Sequence, residues 1–316
     1  MIHIRVVSPA DVTATLVPVL HAEPAVMNLI VLGGTVRNPD GDALHFDVPQ
    51  GAANQVVGRL REIGLDQRGS IFLENVDTSI SALADRVAAR RGRFQQFTPV
   101  WAEIESRIGL EGTFPPSWFA LLIIAGLIGA VGILTNSQIL IVGAMVVGPE
   151  YGAILSLSFG VTRRDLSRVL RSAGALGIGF ALAVAGALVL SLLVRWAGLE
   201  PTGYALGIRP VSNLINTPNW FSFIVAALAG VVGVVSLTEA RSSTLIGVLI
   251  SVTTIPAASD IGVSAAFGSG SEAWGSTLQL ILNVTVLAAV AIVGLPAQRA
   301  LWRRIERRAA AAAPHN

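Results

Sequence analysis

Six long apolar stretches occupy the second part of this 316-residue sequence. Each approaches the ~20 residues that a helix needs to cross the hydrocarbon core of a bilayer. The stretches run over residues 118–135, 138–161, 173–196, 220–238, 244–263 and 274–296. The pattern therefore predicts an α-helical polytopic membrane protein, with six transmembrane helices in a transmembrane domain over residues 118–296.

Residues 1–77 carry a different pattern, in which short alternating runs are separated by helical stripes. Strands are predicted at 2–7, 26–36, 43–48 and 70–76, and helices from Pro9 to about Leu20 and over 50–63. This β-α-β-β-α-β order is that of the ferredoxin-like fold. We expect a small soluble α+β ferredoxin-like domain at 1–77, a helical linker at 78–117 and a basic cytosolic tail at 297–316. Gly33-Gly34 predicts a distortion of the second strand.

The composition supports a membrane protein and argues against an enzyme. Hydrophobic residues make up 53% of the chain and charged residues 13%, whereas a soluble domain carries about 25% charge. The chain has no cysteine, which excludes disulfides, thiolate catalysis and cysteine-ligated metals. It has no H-E-x-x-H motif, and His315 is the only histidine after residue 117. We therefore expect no catalytic residues, no metal and no cofactor.

The arginines predict the orientation of the spans. Basic residues are concentrated after the second span (Arg163, Arg164, Arg168 and Arg171) and after the sixth. The positive-inside rule then places both termini in the cytoplasm, with the lipid bilayer as partner. Because the basic excess lies beside membrane spans, no nucleic-acid partner is expected. The N-terminus lacks a basic region followed by an apolar run, so no signal peptide is expected.

Five of the six tryptophans fall at segment ends, where amphipathic rings anchor spans at the membrane interface. They are Trp118, Trp196, Trp220, Trp274 and Trp302. Each is predicted to be an interface anchor.

The second apolar stretch contains an ionisable residue, Glu150, directly after a helix-breaking Gly148-Pro149 pair. Glu150 lies twelve residues into its segment, about 18 Å deep at 1.5 Å per residue. A carboxylate near the middle of a bilayer costs about 3 kcal/mol or more, so it usually faces a partner or a water-filled cavity. Backbone groups freed at such a break are likewise tolerated only when they are buried in protein or line a cavity. Glu150 is therefore a candidate for a solute or ion pathway.

A matching break occurs in the second half of the chain. Pro149 follows Ser137 by twelve residues, and Pro256 follows Thr244 by twelve residues. Three spans per half is an odd number, so the two halves would insert in opposite directions. We therefore predict a 3+3 inverted repeat with broken second and fifth helices, an arrangement in which the breaks point to the pathway.

The candidate pathway consists of the residues around both breaks, where the hydroxyl groups can replace lost backbone hydrogen bonds. These residues are Gly148, Pro149, Glu150, Thr253, Thr254, Pro256, Ser259 and Asp260. The alternative is that both prolines are ordinary kinks, with Glu150 bonded inside the bundle. The repeated glycines of the first and fourth spans are expected to be close-packing surfaces; they are Gly126, Gly129, Gly230 and Gly233.

The sequence from Asn136 to Gly160, which contains Val-Gly-Pro-Glu-Tyr-Gly, is followed by Arg163-Arg-Asp165. It resembles the core of the hydrophobic membrane family known as domain of unknown function 389. Residues 251–259 are similar to the second signature of that family, and the resemblance covers about 118–296. It implies a multi-pass protein of a prokaryotic inner (plasma) membrane without established activity. The family often has an apolar or small residue where this chain has Glu150.

Two functions are compatible with these patterns. The first is a channel or secondary transporter for a small solute or ion, whose N-terminal domain is a cytosolic regulator. Formate/nitrite-type channels share three-plus-three inverted spans, and this fold-level analogy makes a homo-oligomer the expectation. The second is a membrane-anchored sensor or scaffold without transport activity, in which residues 1–77 bind a ligand or partner and the spans enclose no polar cavity.

Overall fold

The computed structural model describes residues 1–76, 78–89, 97–238 and 254–312. The chain divides into two compact units. The first comprises Met1–Ser106 with Arg299–Asn316, and the second comprises Arg107–Gln298. Each unit is described by itself below.

The first unit contains a four-stranded antiparallel sheet with helices between the strands. Its elements are β1 (Ile2–Ser8), α1 (Ala10–His21), β2 (Met27–Arg37), β3 (Asp40–Val48), α2 (Gln50–Glu62), α3 (Leu65–Arg68) and β4 (Ser70–Asn75). The sheet order is β2-β3-β1-β4, and all three pairings are antiparallel. This is the split β-α-β order that the sequence pattern predicts. The short helix α3 is an addition that the pattern did not reveal.

Alternation along the strands builds the core of this unit. Ile2, Ile4 and Val6 of β1 are buried, and so are Leu44 and Phe46 of the paired strand. Since successive side chains point to opposite faces of a sheet, these residues share the face that the helices cover. Full burial of each large side chain contributes about 1.5–3 kcal/mol.

The predicted distortion at Gly33-Gly34 is present in β2. The pairing with β3 shifts register between Leu32 and Val36. Gly34 has a φ of 63°, a conformation that glycine adopts without a steric penalty. Its backbone N–H donates a 2.7 Å hydrogen bond to Oδ1 of Asp42. This bond replaces the one that the N–H would otherwise make to the backbone of β3.

Two helices occupy the predicted linker. They are α4 (Ala82–Ala89) and α5 (Trp101–Glu111). Val100, just before α5, joins the core of the first unit. The boundary between the units falls inside α5, after Ser106.

The second unit is helical in its described part. Its helices are α6 (Pro116–Leu134), α7 (Gln138–Val147), α8 (Glu150–Arg163), α9 (Leu166–Trp196), α10 (Thr202–Ala205), α11 (Pro210–Ile215), α12 (Trp220–Thr238), α13 (Ile255–Ala266) and α14 (Gly270–Ala312), of which residues up to Gln298 belong to this unit. Among the described residues, α6, α9, α12 and α14 are each long and apolar enough to cross a membrane. The pair α7 and α8 forms a further candidate span that bends by 49°. The chain is thus a membrane protein with four or five candidate spans in its described part.

The predicted fifth span, 244–263, is described only from Thr254 onward, where α13 begins. Residues 244–253, including Thr253, lie outside the described residues. The sixth predicted span also differs from expectation, because α14 does not end at residue 296. It continues through Pro296 to Ala312, since the following Ala- and Arg-rich sequence has a high helix propensity.

Small residues allow the helices of the second unit to approach closely. Helix α13 packs against α6 and α9, and α6 also packs against α7 and α9. A Cβ atom added at Gly126 would lie 2.8 Å from the carbonyl oxygen of Ala183, and one at Gly129 would overlap Ser259. One at Gly230 would lie 2.9 Å from Cβ of Val290, and Gly233 is buried. Such glycine contacts are typical of membrane helix interfaces.

Candidate functional site

The two helix breaks are joined by a hydrogen bond between side chains. Helix α7 ends before Gly148-Pro149, and Glu150 is the first residue of α8. In the second half of the chain, Thr254 immediately precedes α13, whose first turn contains Pro256. The hydroxyl of Thr254 donates a 2.5 Å hydrogen bond to Oε1 of Glu150, across 104 residues of sequence. The structure therefore brings together the central residues of both predicted breaks.

This pair is fully enclosed by protein. Glu150 is 1% exposed and Thr254 is 0% exposed. The second carboxyl oxygen of Glu150, Oε2, has no hydrogen-bond partner among the described residues. A carboxylate charge buried with a single neutral donor is costly, so the carboxyl must carry a proton or meet a cation while it is enclosed.

Glycine at position 148 makes room for this carboxyl. A Cβ atom there would overlap Oε2 of Glu150 and would lie 2.8 Å from Cγ1 of Ile255. The absence of a side chain thus lets the carboxyl group of α8 lie beside the first residue of α13. A side chain at position 148 would require the carboxyl of Glu150 and the side chain of Ile255 to move.

The backbone freed at Pro149 is satisfied by a side chain. The indole N–H of Trp118 donates to the carbonyl oxygen of Pro149 at 3.2 Å. Trp118 is only 8% exposed, so its predicted role as an interface anchor is wrong. It lies early in α6 and faces the bundle, where it supports the break. Trp196 and Trp220, by contrast, are 88% and 79% exposed, as interface anchors require.

Helix termini add a favourable field at Glu150. The N-terminal ends of α8 and α13 both lie at this pair, because Glu150 begins one helix and Thr254 precedes the other. Each helix N-terminus carries a partial positive charge. In transporters with discontinuous helices, such N-termini point towards anionic groups near the centre of the membrane. The site can therefore hold a negative charge when a cation or water reaches it.

The other two predicted pathway residues of α13 point elsewhere. The hydroxyl of Ser259 donates to the carbonyl oxygens of Ile255 at 3.0 Å and of Gly126 at 3.1 Å, which links α13 to α6. Asp260 is 0% exposed, and its Oδ2 accepts a 2.6 Å hydrogen bond from Ser276 of α14. Asp260 thus has its own polar partners, separate from the Glu150–Thr254 pair.

The sequence interpretation recognised only Asn283, as a residue that bonds between helices, and missed the polar stripe on α14 to which it belongs. Ser276, Gln279 and Asn283 follow the i, i+3, i+7 spacing of one helix face and are all buried. The amide of Gln279 donates to Oδ1 of Asn283 at 3.0 Å. Three polar residues at this spacing within an apolar segment are visible in the sequence. They indicate that this face of α14 turns towards the protein interior.

A second carboxyl group, also missed, lies beside α8. The side chain of Glu111 contacts the backbone of Gly152, where a Cβ atom would overlap it. Burial of its carboxyl raises the pKa of Glu111 above the usual 4.5, although nearby Arg107 acts in the opposite direction. Glu111 was unrecognised because it lies in the predicted linker, where a charged residue is ordinary.

The described residues contain no group of three or more His, Cys, Asp or Glu side chains that could hold a metal ion. A mostly apolar pocket of about 410 Å³ is lined by Pro218, Asn219, Trp220, Phe223 and Leu282. Its lining includes neither Glu150 nor Asp260. We assign this pocket no part in the site.

Comparisons with known proteins agree with the family resemblance. Residues 145–289 match the sequence model of the family described as "Domain of unknown function (DUF389)", and this range contains Glu150, Thr254 and Asp260. An uncharacterized protein of Methanocaldococcus jannaschii is 24% identical over 173 residues, which are 55% of this chain and 51% of that protein. The resemblance predicted from the sequence is confirmed over the matched range.

A second similar protein is the 3-isopropylmalate dehydratase small subunit of Methylobacterium radiotolerans. It is 35% identical over 85 residues, which are 27% of this chain and 39% of that subunit. The chain thus spans about half, or less, of the length of the curated relatives that it matches. No solved structure matches the chain.

Proposed function

We propose that this protein is a channel or secondary transporter for a small solute or ion, and not an enzyme. Its pathway would pass the buried pair of Glu150 and Thr254. The observation that carries the proposal is the 2.5 Å hydrogen bond between these two residues, each of which lies at a break predicted independently from the sequence. A kink that served only to bend a helix would not need a carboxyl group at this position.

The energetics of Glu150 support transport over a static role. A buried carboxyl group with one hydrogen bond is stable only when a proton or cation compensates its charge. A transported cation or proton supplies that compensation in one state and leaves in another. Because Glu150 is 1% exposed, access from either side requires the helices around it to move, as in alternating access.

The proposed architecture extends the described helices to six spans. The five candidate spans of the described part would be joined by 244–263, which gives three spans per half and a 3+3 inverted repeat. Both termini would then lie in the cytoplasm of a prokaryotic cell, with the spans in its inner membrane. We further propose that the protein forms a homo-oligomer and that the N-terminal domain regulates the pathway.

Ion flux into proteoliposomes tests this proposal. A trapped pH-sensitive dye reports protons, and radioactive ²²Na⁺ reports sodium. We expect the unaltered protein to transport at least one probe. We expect Glu150→Ala to abolish that flux, and Glu150→Gln, which keeps the shape but not the charge, to reduce it at least tenfold. Glu200→Gln is a matched control in the loop between α9 and α10, and it should retain full flux.

The outcomes separate the candidate functions. If neither change at Glu150 alters the flux, this residue has no part in the pathway. If the folded protein moves neither probe nor any member of a panel of small anions and neutral solutes, the sensor or scaffold function is favoured instead.

A further inference from the structure

Asp260 lies at the centre of a second buried cluster, which is lined by hydroxyl groups. Its Oδ2 accepts a 2.6 Å hydrogen bond from Ser276. The hydroxyls of Ser212 and Ser264 lie close to this carboxyl. All four residues are 0% exposed, although they come from α11, α13 and α14. Oxygen atoms from three helices therefore lie around one carboxyl group.

Several of these oxygens have unused hydrogen-bonding capacity. Oδ1 of Asp260, Oγ of Ser264 and the hydroxyl of Tyr204 have no hydrogen-bond partner among the described residues. The Tyr204 hydroxyl lies close to Ser264, and the carboxyl of Asp260 acts on it electrostatically. Burial raises the pKa of Tyr204 to about 12, so its phenol is neutral at physiological pH. Leaving a buried polar group unsatisfied costs about 1–3 kcal/mol, and native structures rarely leave several of them together.

The charge of the cluster selects a monovalent ligand. Arg209 and Glu272 form an ion pair at 2.8 Å, so their charges cancel. The guanidinium also donates to Ser269 at 2.8 Å and lies 4.3 Å from the centre of the Tyr204 ring. Asp260 then supplies a single net negative charge. A divalent ion would leave one positive charge uncompensated in a buried site, which is strongly unfavourable.

We propose that Asp260, with the hydroxyls of Ser212, Ser264, Ser276 and Tyr204, binds a monovalent alkali cation, and that Na⁺ is the ion bound. Hard cations prefer oxygen ligands, and one carboxylate with several neutral oxygens provides both the ligands and the charge. A proton would need the carboxylate alone and would not use the converging hydroxyls. A role as the coupling ion rests on the proposed transport function, whereas binding itself does not.

Direct binding of ²²Na⁺ to the purified full-length protein in detergent tests this site. We expect saturable binding by the unaltered protein. Asp260→Asn should weaken the affinity at least a hundredfold, and Ser276→Ala should weaken it about tenfold. The control is Ser158→Ala, which also removes a buried hydroxyl, but one that donates to backbone carbonyls, of Ile154 in its own helix and of Ala288 in α14. It should bind Na⁺ as the unaltered protein does.

The results also separate this site from the pathway at Glu150. Glu150→Gln should retain Na⁺ binding. Binding without flux of any solute would support the site and contradict the transport proposal, whereas flux without saturable binding would overturn the site alone. Binding that survives both Asp260→Asn and Ser276→Ala would also overturn it. Size-exclusion chromatography shows whether Asp260→Asn folds. If it does not, the Na⁺ affinities of Ser276→Ala and Ser158→Ala are compared, and equal affinities would overturn the site.

Discussion

The carboxyl group of Glu111 lies against the backbone of Gly152, two residues after Glu150 in α8. This contact places a second acidic group close to the first turn of the helix that begins at the break. A side chain at position 152 would require the Glu111 carboxyl to move away. The pair links the end of α5 to the segment that carries the candidate site.

The Glu111 contact predicts a pH dependence of stability. Because burial raises the pKa of Glu111 in the folded protein above 4.5, the folded state holds this proton more tightly than the unfolded state does. Stability is therefore lost as pH rises from about 4.5 through the folded pKa, and the loss persists above it. Glu111→Gln should remove the loss. Its melting temperature should equal that of the unaltered protein below pH 4.5 and exceed it at neutral pH.

Thermal unfolding in detergent from pH 4 to pH 8 measures this difference. The control is Glu200→Gln, a loop glutamate, and its melting curve should follow that of the unaltered protein throughout. A constant offset of Glu111→Gln at every pH would show that the effect is one of packing and not of ionisation.

The hydrogen bond between Thr254 and Glu150 predicts an order among substitutions. Thr254→Val keeps the shape but leaves Oε1 of Glu150 buried without a donor, which costs about 1–3 kcal/mol. Thr254→Ser keeps the donor and loses only a methyl group, about 0.8 kcal/mol. We expect the melting temperature to fall further for the valine variant. In a double-mutant cycle with Glu150→Ala, which removes the acceptor, Thr254→Val and Glu150→Ala should be non-additive. Additive effects would show that the hydroxyl and the carboxyl are not coupled.

Close packing of α6 against α9 predicts a glycine-specific effect. Gly126→Ala would place a Cβ atom 2.8 Å from the carbonyl oxygen of Ala183, which is backbone and cannot rotate away. Overpacking of this kind costs about 1–3 kcal/mol. Gly177→Ala in α9 is the matched control, since a Cβ there meets nothing within 4 Å. Thermal unfolding should show a loss for Gly126→Ala and none for Gly177→Ala; equal effects would contradict the packing role.

Elements defined by local rules could be predicted from the sequence. The alternation of Ile2, Ile4 and Val6 predicts a strand with one buried face, and that face is buried. Pro149 cannot continue the hydrogen-bond ladder of a helix, and α7 ends before it. Both arguments use only neighbouring residues, so they do not depend on how the chain folds in three dimensions.

The partners of the site residues could not be predicted in this way. Asp260 was grouped with the breaks because it lies near Pro256 in sequence. It is six residues beyond Thr254, however, and at 100° per residue this places the two side chains on different faces of α13. Thr254 therefore meets Glu150 of α8, whereas Asp260 meets Ser276 of α14. Trp118 was misassigned for a related reason, since position in a segment does not reveal which face of a helix is buried.

The orientation of the spans is the prediction on which the inverted repeat rests. The chain has no cysteine, so single-cysteine variants give one reactive thiol each. Ser167 at the start of α9 and Thr202 at the start of α10 are both exposed. They flank a 31-residue helix of about 46 Å, more than enough to cross a bilayer. The positive-inside rule places the arginine-rich end of α9 in the cytoplasm.

A membrane-impermeant maleimide should therefore label Thr202→Cys in intact cells and label Ser167→Cys only after the membrane is permeabilised. Cysteines appended to the N-terminus and to the C-terminus should both behave like Ser167→Cys, because two repeats of three spans return the chain to the side on which it began. Termini that label from opposite sides would require an odd total number of spans. That result would rule out the 3+3 inverted repeat, and the two breaks would then have to meet without a symmetry relation between the halves.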